Sequence, residues 1–351
     1  MVTNSLAGLK STVAQLTTRG KGILAADERP DTLKKRFEVV NAECTDETRR
    51  DYRELLFSTP GLGAFISGVI LSEDTLGQYS AGGQSMTQVL AANDMMTGIK
   101  VDGGIVPMPG FLGEGATQGL DGLALRLAEF RRSGARFAKW RAVFTIGPDI
   151  PTASAIAANA HALARYAAAC QEQGLVPIVE PEVLMDGDHS LASCARVTEL
   201  VQHAVFHALR EQRVALEYVL LKPNMITPGL ACAEHVTPAQ IAEATITCLR
   251  RTVPAAVPAI HFLSGGQSEA KATANLNAIN AIVATQPWFL SFSYGRALQA
   301  SALAAWRGKA ANRTDAQDAL YRRARLNSAA VHGTYTPAME SGADVTAFTG
   351  E

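Results

Sequence analysis

Charged side chains recur in this 351-residue sequence where they are least expected, at the ends of short apolar segments. Asp27 ends Ile-Leu-Ala-Ala-Asp, Lys100 lies in Gly-Ile-Lys, and Lys222 follows Tyr-Val-Leu-Leu. Any one of them could belong to a structural ion pair. Burying many ionisable groups is costly unless they are paired or used in chemistry. Their repeated position therefore indicates one shared site.

Two pairs of charged residues are separated by a single residue: Lys139 with Arg141, and Glu180 with Glu182. On a β-strand, side chains two positions apart point to the same face, so each pair is expected to face one way. Two neighbouring carboxylates raise the pKa of at least one of them, whereas neighbouring cations lower it. We expect this balance to prepare a glutamate for acid–base catalysis near neutral pH.

The residues directly before Lys222 are more apolar than those before any other lysine in the chain. An amine becomes nucleophilic at neutral pH when desolvation or a nearby cation lowers its pKa. The preceding apolar residues supply the first condition, and Lys139 would supply the second across a shared site. The sequence thus indicates a nucleophilic lysine; the alternative is that Lys222 pairs with a glutamate and only stabilises the fold.

Two further segments have the composition of phosphate sites. One contains Ser264-Gly265-Gly266, and the other contains Gly295-Arg296. Small residues after a strand expose backbone N–H groups to an anion, and an arginine adds bidentate charge. Together they predict that the ligand carries a phosphate.

Eight short apolar segments recur at intervals of roughly 30–45 residues, a spacing typical of strands that alternate with helices. They are Ile23–Asp27, Phe65–Leu71, Gly98–Asp102, Phe137–Val143, Val176–Glu182, Tyr218–Lys222, Ile260–Ser264 and Leu290–Tyr294. Helical patterns lie between them, most clearly over Thr152–Gln173 and over Pro238–Arg251, where Thr237 could cap the start.

Eight strand–helix units are what a (β/α)8 TIM barrel requires, and its strand ends meet at one mouth. The rival α/β architecture is a doubly wound open sheet, which often carries a phosphate-binding glycine turn after its first strand. Here that strand ends in Ala-Ala-Asp-Glu, without such a turn. We therefore predict a single (β/α)8 catalytic domain over residues 1–336 and a flexible C-terminal tail over residues 337–351.

Composition limits the possible partners. A formal net charge of −1 argues against a standing nucleic-acid partner, which requires a clustered basic surface. No apolar run approaches the roughly 18–20 residues that span a bilayer, and no secretory signal is evident. Five scattered cysteines without CxxC spacing fit a reducing cytoplasm. No histidine cluster suggests a metal site.

The segments that carry these residues also resemble one family, the class I fructose-1,6-bisphosphate aldolases, from about residue 5 to residue 336. The matching motifs are Gly-Lys-Gly-Ile-Leu-Ala-Ala-Asp-Glu, Phe-Ala-Lys-Trp-Arg, Pro-Ile-Val-Glu-Pro-Glu, Leu-Leu-Lys-Pro-Asn-Met, Phe-Leu-Ser-Gly-Gly-Gln-Ser and Phe-Ser-Tyr-Gly-Arg-Ala-Leu-Gln. The resemblance implies a metal-independent (β/α)8 enzyme of glycolysis and gluconeogenesis, usually a homotetramer. It would cleave fructose 1,6-bisphosphate reversibly to dihydroxyacetone phosphate and glyceraldehyde 3-phosphate.

The resemblance also implies roles for the charged residues. Lys222 matches the lysine that forms a Schiff base with the C2 ketone, so that no separate cofactor is needed. Asp27 matches the carboxylate near the C4 hydroxyl, which gives up its proton in the cleavage. Glu180 matches the acid–base group that dehydrates the carbinolamine, and Glu182 and Lys139 shape its charge.

Binding roles follow in the same way. Arg141 fits the active-site arginine of the family. The site for the C1 phosphate is matched by Ser264, Gly265, Gly295 and Arg296. The C6 phosphate end is matched by Lys100 and Arg36, and Thr32 can replace one family hydroxyl there.

Three departures from the family pattern stand out. The family's Ser-Thr-Gly-Ser after Asp-Glu is replaced by the four residues from Arg29 to Thr32, and its Lys-Val-Asp-Lys ends here in Gly103. The C-terminal tyrosine of many members is replaced by Glu351. The alternatives are a Schiff-base aldolase that prefers sedoheptulose 1,7-bisphosphate or fructose 1-phosphate, a metal-dependent aldolase, and a non-catalytic binding protein on an aldolase barrel.

Overall fold

The structure, a computed structural model, describes residues 2–282 and 285–341. Eight parallel strands close into a barrel in the order β1-β10-β9-β8-β7-β6-β3-β2. These strands are β1 (Gly22–Ala26), β2 (Ile66–Leu71), β3 (Met96–Lys100), β6 (Phe137–Phe144), β7 (Val176–Val183), β8 (Leu220–Leu221), β9 (Ala259–Phe262) and β10 (Phe289–Tyr294). A separate antiparallel hairpin consists of β4 (Gly104–Pro107) and β5 (Gly115–Gln118). The predicted (β/α)8 barrel is confirmed.

Helices connect the strands and cover the outside of the barrel. They are α1 (Val2–Leu16), α2 (Pro30–Val39), α3 (Asp46–Phe57), α4 (Glu73–Leu76), α5 (Met86–Ala92), α6 (Leu123–Arg132), α7 (Ala153–Glu172), α8 (Leu191–Glu211), α9 (Pro238–Thr252), α10 (Glu269–Asn280), α11 (Arg296–Trp306) and α12 (Arg313–Val331). Short 3-10 helices occupy Leu62–Ala64, Leu216–Tyr218, Ala310–Asn312 and Pro337–Ser341.

Capping residues mark the starts of two helices where the sequence predicts them. The Thr152 side chain accepts a hydrogen bond from the backbone N–H of Ala155 at the start of α7. At the start of α9, Thr237 and Gln240 form a reciprocal capping box. These contacts satisfy backbone N–H groups that lack a partner within the helix. Both predicted helices are therefore confirmed to within a residue or two.

The sixth predicted strand is wrong in extent. Tyr218 belongs to a 3-10 helix, and β8 contains only two residues. The backbone N–H of Lys222 still donates to the Val179 carbonyl, at 2.8 Å, which continues the pairing with β7. Pro223 then ends the ladder because proline has no N–H to donate. Lys222 consequently stands at the very end of its strand.

The barrel interior is closed at its N-terminal end by α1. Leu9, Val13 and Leu16 are buried and pack with the lower barrel residues Ile23 and Phe137. The sequence predicts an amphipathic surface helix here, and its apolar face covers the barrel floor. The charged residues that the sequence predicts for the site lie at the opposite, C-terminal end.

The predicted tail starts with an ordered segment. Residues Pro337–Ser341 form a 3-10 helix, in which Glu340 lies 2.8 Å from the buried Arg323 and accepts a hydrogen bond from the Tyr335 hydroxyl at 2.9 Å. The rest of the predicted tail, 342–351, lies outside the described residues, so its flexibility stays a prediction.

Candidate active site

A cavity of about 450 Å³ opens at the C-terminal end of the barrel strands. Every residue that the sequence predicts for the site lines it: Asp27, Thr32, Arg36, Lys100, Lys139, Arg141, Glu180, Glu182, Lys222, Ser264, Gly265, Gly295 and Arg296. They come from the ends of seven of the eight barrel strands and from α2. The structure therefore brings together residues that are up to about 270 positions apart in the chain.

Parallel pairing of β6 with β7 aligns the two charged pairs. Arg141 lies opposite Glu180 in the register, and Val143 lies opposite Glu182. Because alternate residues face the same way, both pairs point into the barrel. The Arg141 guanidinium consequently binds the Glu182 carboxylate in a short ion pair.

Lys139 bridges two carboxylates at the centre of the cavity. Its Nζ lies 2.6 Å from Asp27 Oδ2 and 3.3 Å from Glu180 Oε2. The other oxygen of Glu180, Oε1, lies 3.1 Å from Lys222 Nζ. Lys139, Glu180 and Lys222 are all less than 5 % exposed, at 3, 3 and 4 %. Two cations and two carboxylates thus alternate in a charge-balanced row.

This row determines which groups are ionised. Burial by itself would raise the pKa of Asp27, but Lys139, Lys222 and Lys100 together hold it below its ordinary value. Burial likewise opposes ionisation of Glu180, and Lys139, Lys222 and Arg141 outweigh it, so its pKa is also lowered. For Lys139, burial favours the neutral amine, yet Asp27 and Glu180 raise its pKa.

In the expected balance between neighbouring carboxylates and cations, the cations outweigh the carboxylates at Glu180 and lower its pKa. Each glutamate has its own cation, since Glu182 binds Arg141 whereas Glu180 binds two lysines. Coulombic attraction at about 3 Å in a buried site exceeds the repulsion between the carboxylates. Glu180 is therefore a carboxylate in the resting site.

The pairing of Lys222 with a glutamate, which was the structural alternative, does exist. Glu180 Oε2 is buried and lies 3.3 Å from Lys139 Nζ, without hydrogen-bond geometry to any described residue. Both Lys222 and Glu180 also line the open cavity. Glu180 therefore presents one carboxylate oxygen to Lys222 at the cavity wall, while its other oxygen pairs with Lys139.

At one end of the cavity, two side chains that are predicted to bind phosphate, Arg36 and Lys100, already have carboxylate partners. Glu28 forms ion pairs with Arg36 and with the buried Arg53, the latter at 2.8 Å. Burial would raise the pKa of Glu28, but Arg53 and Arg36 lower it. Lys100 lies 3.4 Å from a carboxylate oxygen of Asp102. The sequence motifs did not predict these pairings.

At the end of the cavity formed by the loops after β9 and β10, backbone N–H groups and an arginine side chain converge. Gly265 and Gly266 have backbone φ angles of +59° and +107°, which residues other than glycine rarely adopt. α11 begins at Arg296, directly after Gly295, so its free N–H groups lie at the cavity. Arg296 has no carboxylate within 4 Å among the residues that the structure describes. This end fits a phosphate group.

Eleven of the 24 lining residues fall outside the predicted set, among them Arg29, Asp186 and Ser293. Asp186 continues the alternation of Glu180 and Glu182 along one face, and that spacing could have revealed it. Ser293 has a buried hydroxyl without a partner among the described residues. Arg29 lies beside motifs that the sequence singles out, but only the fold turns it towards the cavity.

In the stretches 2–282 and 285–341, no group of three or more His, Cys, Asp or Glu side chains could hold a metal ion. Within the same stretches, no helix is long and apolar enough to cross a membrane.

The fold and the site together define a (β/α)8-barrel enzyme whose chemistry is organised around buried lysines and carboxylates. Residues 8–349 match the family described as fructose-bisphosphate aldolase class-I. The muscle-type fructose-bisphosphate aldolase of Lethenteron camtschaticum is 53 % identical over 92 % of this chain and 89 % of its own. The cytoplasmic isozyme of Cicer arietinum is 54 % identical over 93 % of this chain and 91 % of its own.

A solved structure agrees with these relatives. The fructose-bisphosphate aldolase of Plasmodium falciparum, in complex with TRAP and a small-molecule inhibitor, superposes with a TM-score of 0.93 at 51 % identity, covering 95 % of this chain and 96 % of that one. The chain belongs to the class I fructose-bisphosphate aldolase family. It is a lyase that cleaves fructose 1,6-bisphosphate reversibly to dihydroxyacetone phosphate and glyceraldehyde 3-phosphate, which confirms the predicted activity.

Proposed function

We propose that Lys222 is the nucleophile and that it forms a Schiff base with the C2 ketone of the substrate, without a metal or a separate cofactor. The observation that carries this proposal is the contact between Lys222 Nζ and Glu180 Oε1, at 3.1 Å on the wall of the cavity. Both groups are buried, so proton exchange between them does not compete with bulk water. A lysine with an adjacent general base is the arrangement that nucleophilic catalysis requires.

Schiff-base formation proceeds through Glu180. The Glu180 carboxylate takes a proton from the Lys222 ammonium, and the free amine attacks C2. The carbonyl π electrons move to oxygen, which takes a proton from the attacking nitrogen to give a carbinolamine. Glu180 then returns its proton to the leaving hydroxyl, which departs as water, and a C2 iminium remains. The short reach from Glu180 to Lys222 lets one group perform both transfers.

Carbon–carbon cleavage proceeds through Asp27. Its lowered pKa keeps it ionised, ready to accept the proton of the C4 hydroxyl. As that proton leaves, the C3–C4 electron pair moves into the iminium, which yields an enamine on Lys222 and releases glyceraldehyde 3-phosphate. Protonation at C3 and hydrolysis by water then release dihydroxyacetone phosphate and the free lysine. Lys139 remains charged between Asp27 and Glu180 and stabilises both carboxylates.

Substrate orientation follows from the two ends of the cavity. We place the C1 phosphate against Ser264, Gly265, Gly295 and Arg296, and the C6 phosphate towards Thr32, Arg36 and Lys100. Arg141 and Glu182, which bind each other beside Glu180, fix the wall between the two ends. A bidentate or helix-terminal phosphate contact at each end would hold C2 and C4 in position for the reaction.

Borohydride trapping tests the nucleophile directly. Incubation with dihydroxyacetone phosphate and borohydride should add one reduced adduct to the peptide that contains Lys222, and Lys222→Met should abolish it. Lys34→Met is the matched control, because Lys34 is exposed and lies outside the cavity. An adduct on another lysine, or none, would refute the mechanism.

A sugar panel tests the substrate preference. We expect fructose 1,6-bisphosphate to have a higher kcat/KM than fructose 1-phosphate or sedoheptulose 1,7-bisphosphate. Should it be the poorest of the three, the binding orientation proposed here is wrong.

We further propose a cytoplasmic homotetramer that acts in glycolysis and gluconeogenesis. The cytoplasmic isozyme of Cicer arietinum, at 54 % identity, supports the compartment, and the family resemblance supports the assembly. Light scattering after gel filtration should give about four times the 37.2 kDa chain mass. Fractionation of cells with an antibody against the chain should recover it in the cytosolic fraction, and recovery in an organelle or a smaller mass would contradict the respective part.

A further inference from the structure

We propose that Arg29 is the principal ligand of the distal phosphate, the one carried by C6, and that it selects a bisphosphate over a monophosphate substrate. This inference rests on the proposed function, since it assumes that the substrate reacts at Lys222 with its C6 end towards α2. Three cationic side chains line that end of the cavity: Arg29, Arg36 and Lys100. Only a cation that is not already paired with a carboxylate keeps its full charge for an anion.

Two of these three cations already form ion pairs with carboxylates. Glu28 binds Arg36, and Asp102 lies 3.4 Å from Lys100. Arg29 has neither a carboxylate within 4 Å nor a side-chain hydrogen bond among the residues that the structure describes. An unpaired guanidinium keeps its donors and its full charge for the ligand. A phosphate arriving at this end therefore meets its largest uncompensated charge at Arg29.

Gly104 accounts for the position of this guanidinium. A Cβ built on Gly104 would lie only 2.6 and 2.8 Å from the two terminal nitrogens of Arg29, so the side chain occupies space that any other residue at position 104 would fill. Gly104 also has a φ of +97°, which favours glycine. At Gly103 a Cβ would lie 3.1 Å from the Gln118 carbonyl oxygen. The entry to the β4–β5 hairpin thus contributes no cation and instead makes room for Arg29.

The neighbouring residues on α2 agree with an anion at this place. Thr32 lines the cavity and offers a hydroxyl, whereas Asp31, which would repel a phosphate, is exposed and does not line it. Arg29 itself is the last residue before α2 and has an extended backbone, with φ −67° and ψ 156°. Pro30 fixes the chain at the first helical position, so the base of the Arg29 side chain is held in place.

The proposal predicts a selective loss in Arg29→Ala. We expect kcat/KM for fructose 1,6-bisphosphate to fall by about 10- to 100-fold, mostly through KM, because one charge-assisted phosphate contact is removed. The value for fructose 1-phosphate, which lacks the distal phosphate, should change by less than about twofold. Arg29→Lys should recover part of the loss, since it restores the charge without the bidentate geometry.

Matched variants exclude indirect effects. Lys34→Ala removes an exposed cation from α2, outside the cavity, and should leave kcat/KM unchanged for both sugars. Gly104→Ala should displace the guanidinium and reproduce the selective loss, with unchanged circular dichroism as evidence of folding. An equal loss for both sugars in Arg29→Ala, or no loss for the bisphosphate, would overturn the proposal.

Failure of the proposed function is distinguishable from failure of this inference. Dihydroxyacetone phosphate has no distal phosphate, so Arg29→Ala should be trapped by borohydride at Lys222 as efficiently as the unmodified enzyme. Absence of trapping in the unmodified enzyme would refute the role of Lys222, whatever the sugar preference of the Arg29 variants.

Discussion

The imidazole of His261 makes a specific prediction about stability at acid pH. His261 lies on β9 and is fully buried. Its ring packs edge-on against Phe289. Burial lowers the pKa of His261 from 6.5 to about 4, although a hydrogen bond with the Leu16 backbone raises it; the charge of Lys222 lowers it further. The native state therefore holds this histidine neutral.

The sign of the effect follows from proton linkage. Below pH 6.5 the unfolded chain binds a proton at His261 that the native state refuses until about pH 4, so stability falls as the pH falls through this window. With these two pKa values, the loss from this one group between pH 7 and pH 5 is about 2 kcal/mol, and it approaches about 3 kcal/mol below pH 4. Asp27, Glu28 and Glu180 destabilise the native state only at lower pH, since their unfolded pKa values lie at 3.8, 4.5 and 4.5.

The perturbation is His261→Leu, which replaces the ring with an apolar group of similar size. Urea unfolding followed by tryptophan fluorescence should show that the variant loses about 2 kcal/mol less than the unmodified protein on going from pH 7 to pH 5. His203→Gln is the matched control, because His203 is exposed on α8 and should leave the pH dependence unchanged. If His261→Leu and the unmodified protein lose the same stability, the imidazole is not buried neutral and the reasoning is refuted.

Further predictions concern the catalytic row, its metal independence and the C-terminal contact. Lys139→Met should lower kcat at least 100-fold and shift the acid limb of the pH–rate profile to higher pH. The reason is that Asp27 and Glu180 lose their shared cation, which raises their pKa values. An acid limb at the same pH would contradict this. Glu180→Gln should slow borohydride trapping by about 10²- to 10⁴-fold while the melting temperature shows a folded protein, and unchanged trapping would exclude Glu180 as the proton carrier. EDTA should leave kcat unchanged, whereas restoration of a lost activity by Zn²⁺ would indicate a metal-dependent enzyme. Glu340→Gln should lower the free energy of unfolding by about 1–3 kcal/mol, measured by urea titration, because it breaks the ion pair with the buried Arg323; an unchanged value would mean that this contact is not formed in solution.

Local patterns in the sequence were sufficient to predict the barrel and the residues around its mouth. Strand ends are recognisable because apolar runs stop at a charge, and parallel strands of a barrel all end at the same side. Lys139 with Arg141 and Glu180 with Glu182 could be assigned to one inward face because the side-chain period of a strand is two. Family motifs then added the reaction, which the relatives confirm.

Partnerships between distant residues could not be read from the sequence. Glu28 is adjacent to Asp27 in the chain, but it binds Arg36 and Arg53 rather than joining the catalytic row. The hairpin of β4 and β5 was not predicted, because its short strands lie outside the barrel pattern. Its entry at Gly104 nevertheless decides where the Arg29 guanidinium lies.

The sequence by itself determined which chemical groups reach the mouth of the barrel, and it singled out Lys222 as the proposed nucleophile. The tertiary structure decided their ionisation and their availability. Glu180 is held as a carboxylate because two lysines from other strands contact its two oxygens, and Arg29 is free because Glu28 and Asp102 engage its neighbours. The physical reason is that charge interactions depend on distances of a few ångströms, which only the closed barrel fixes.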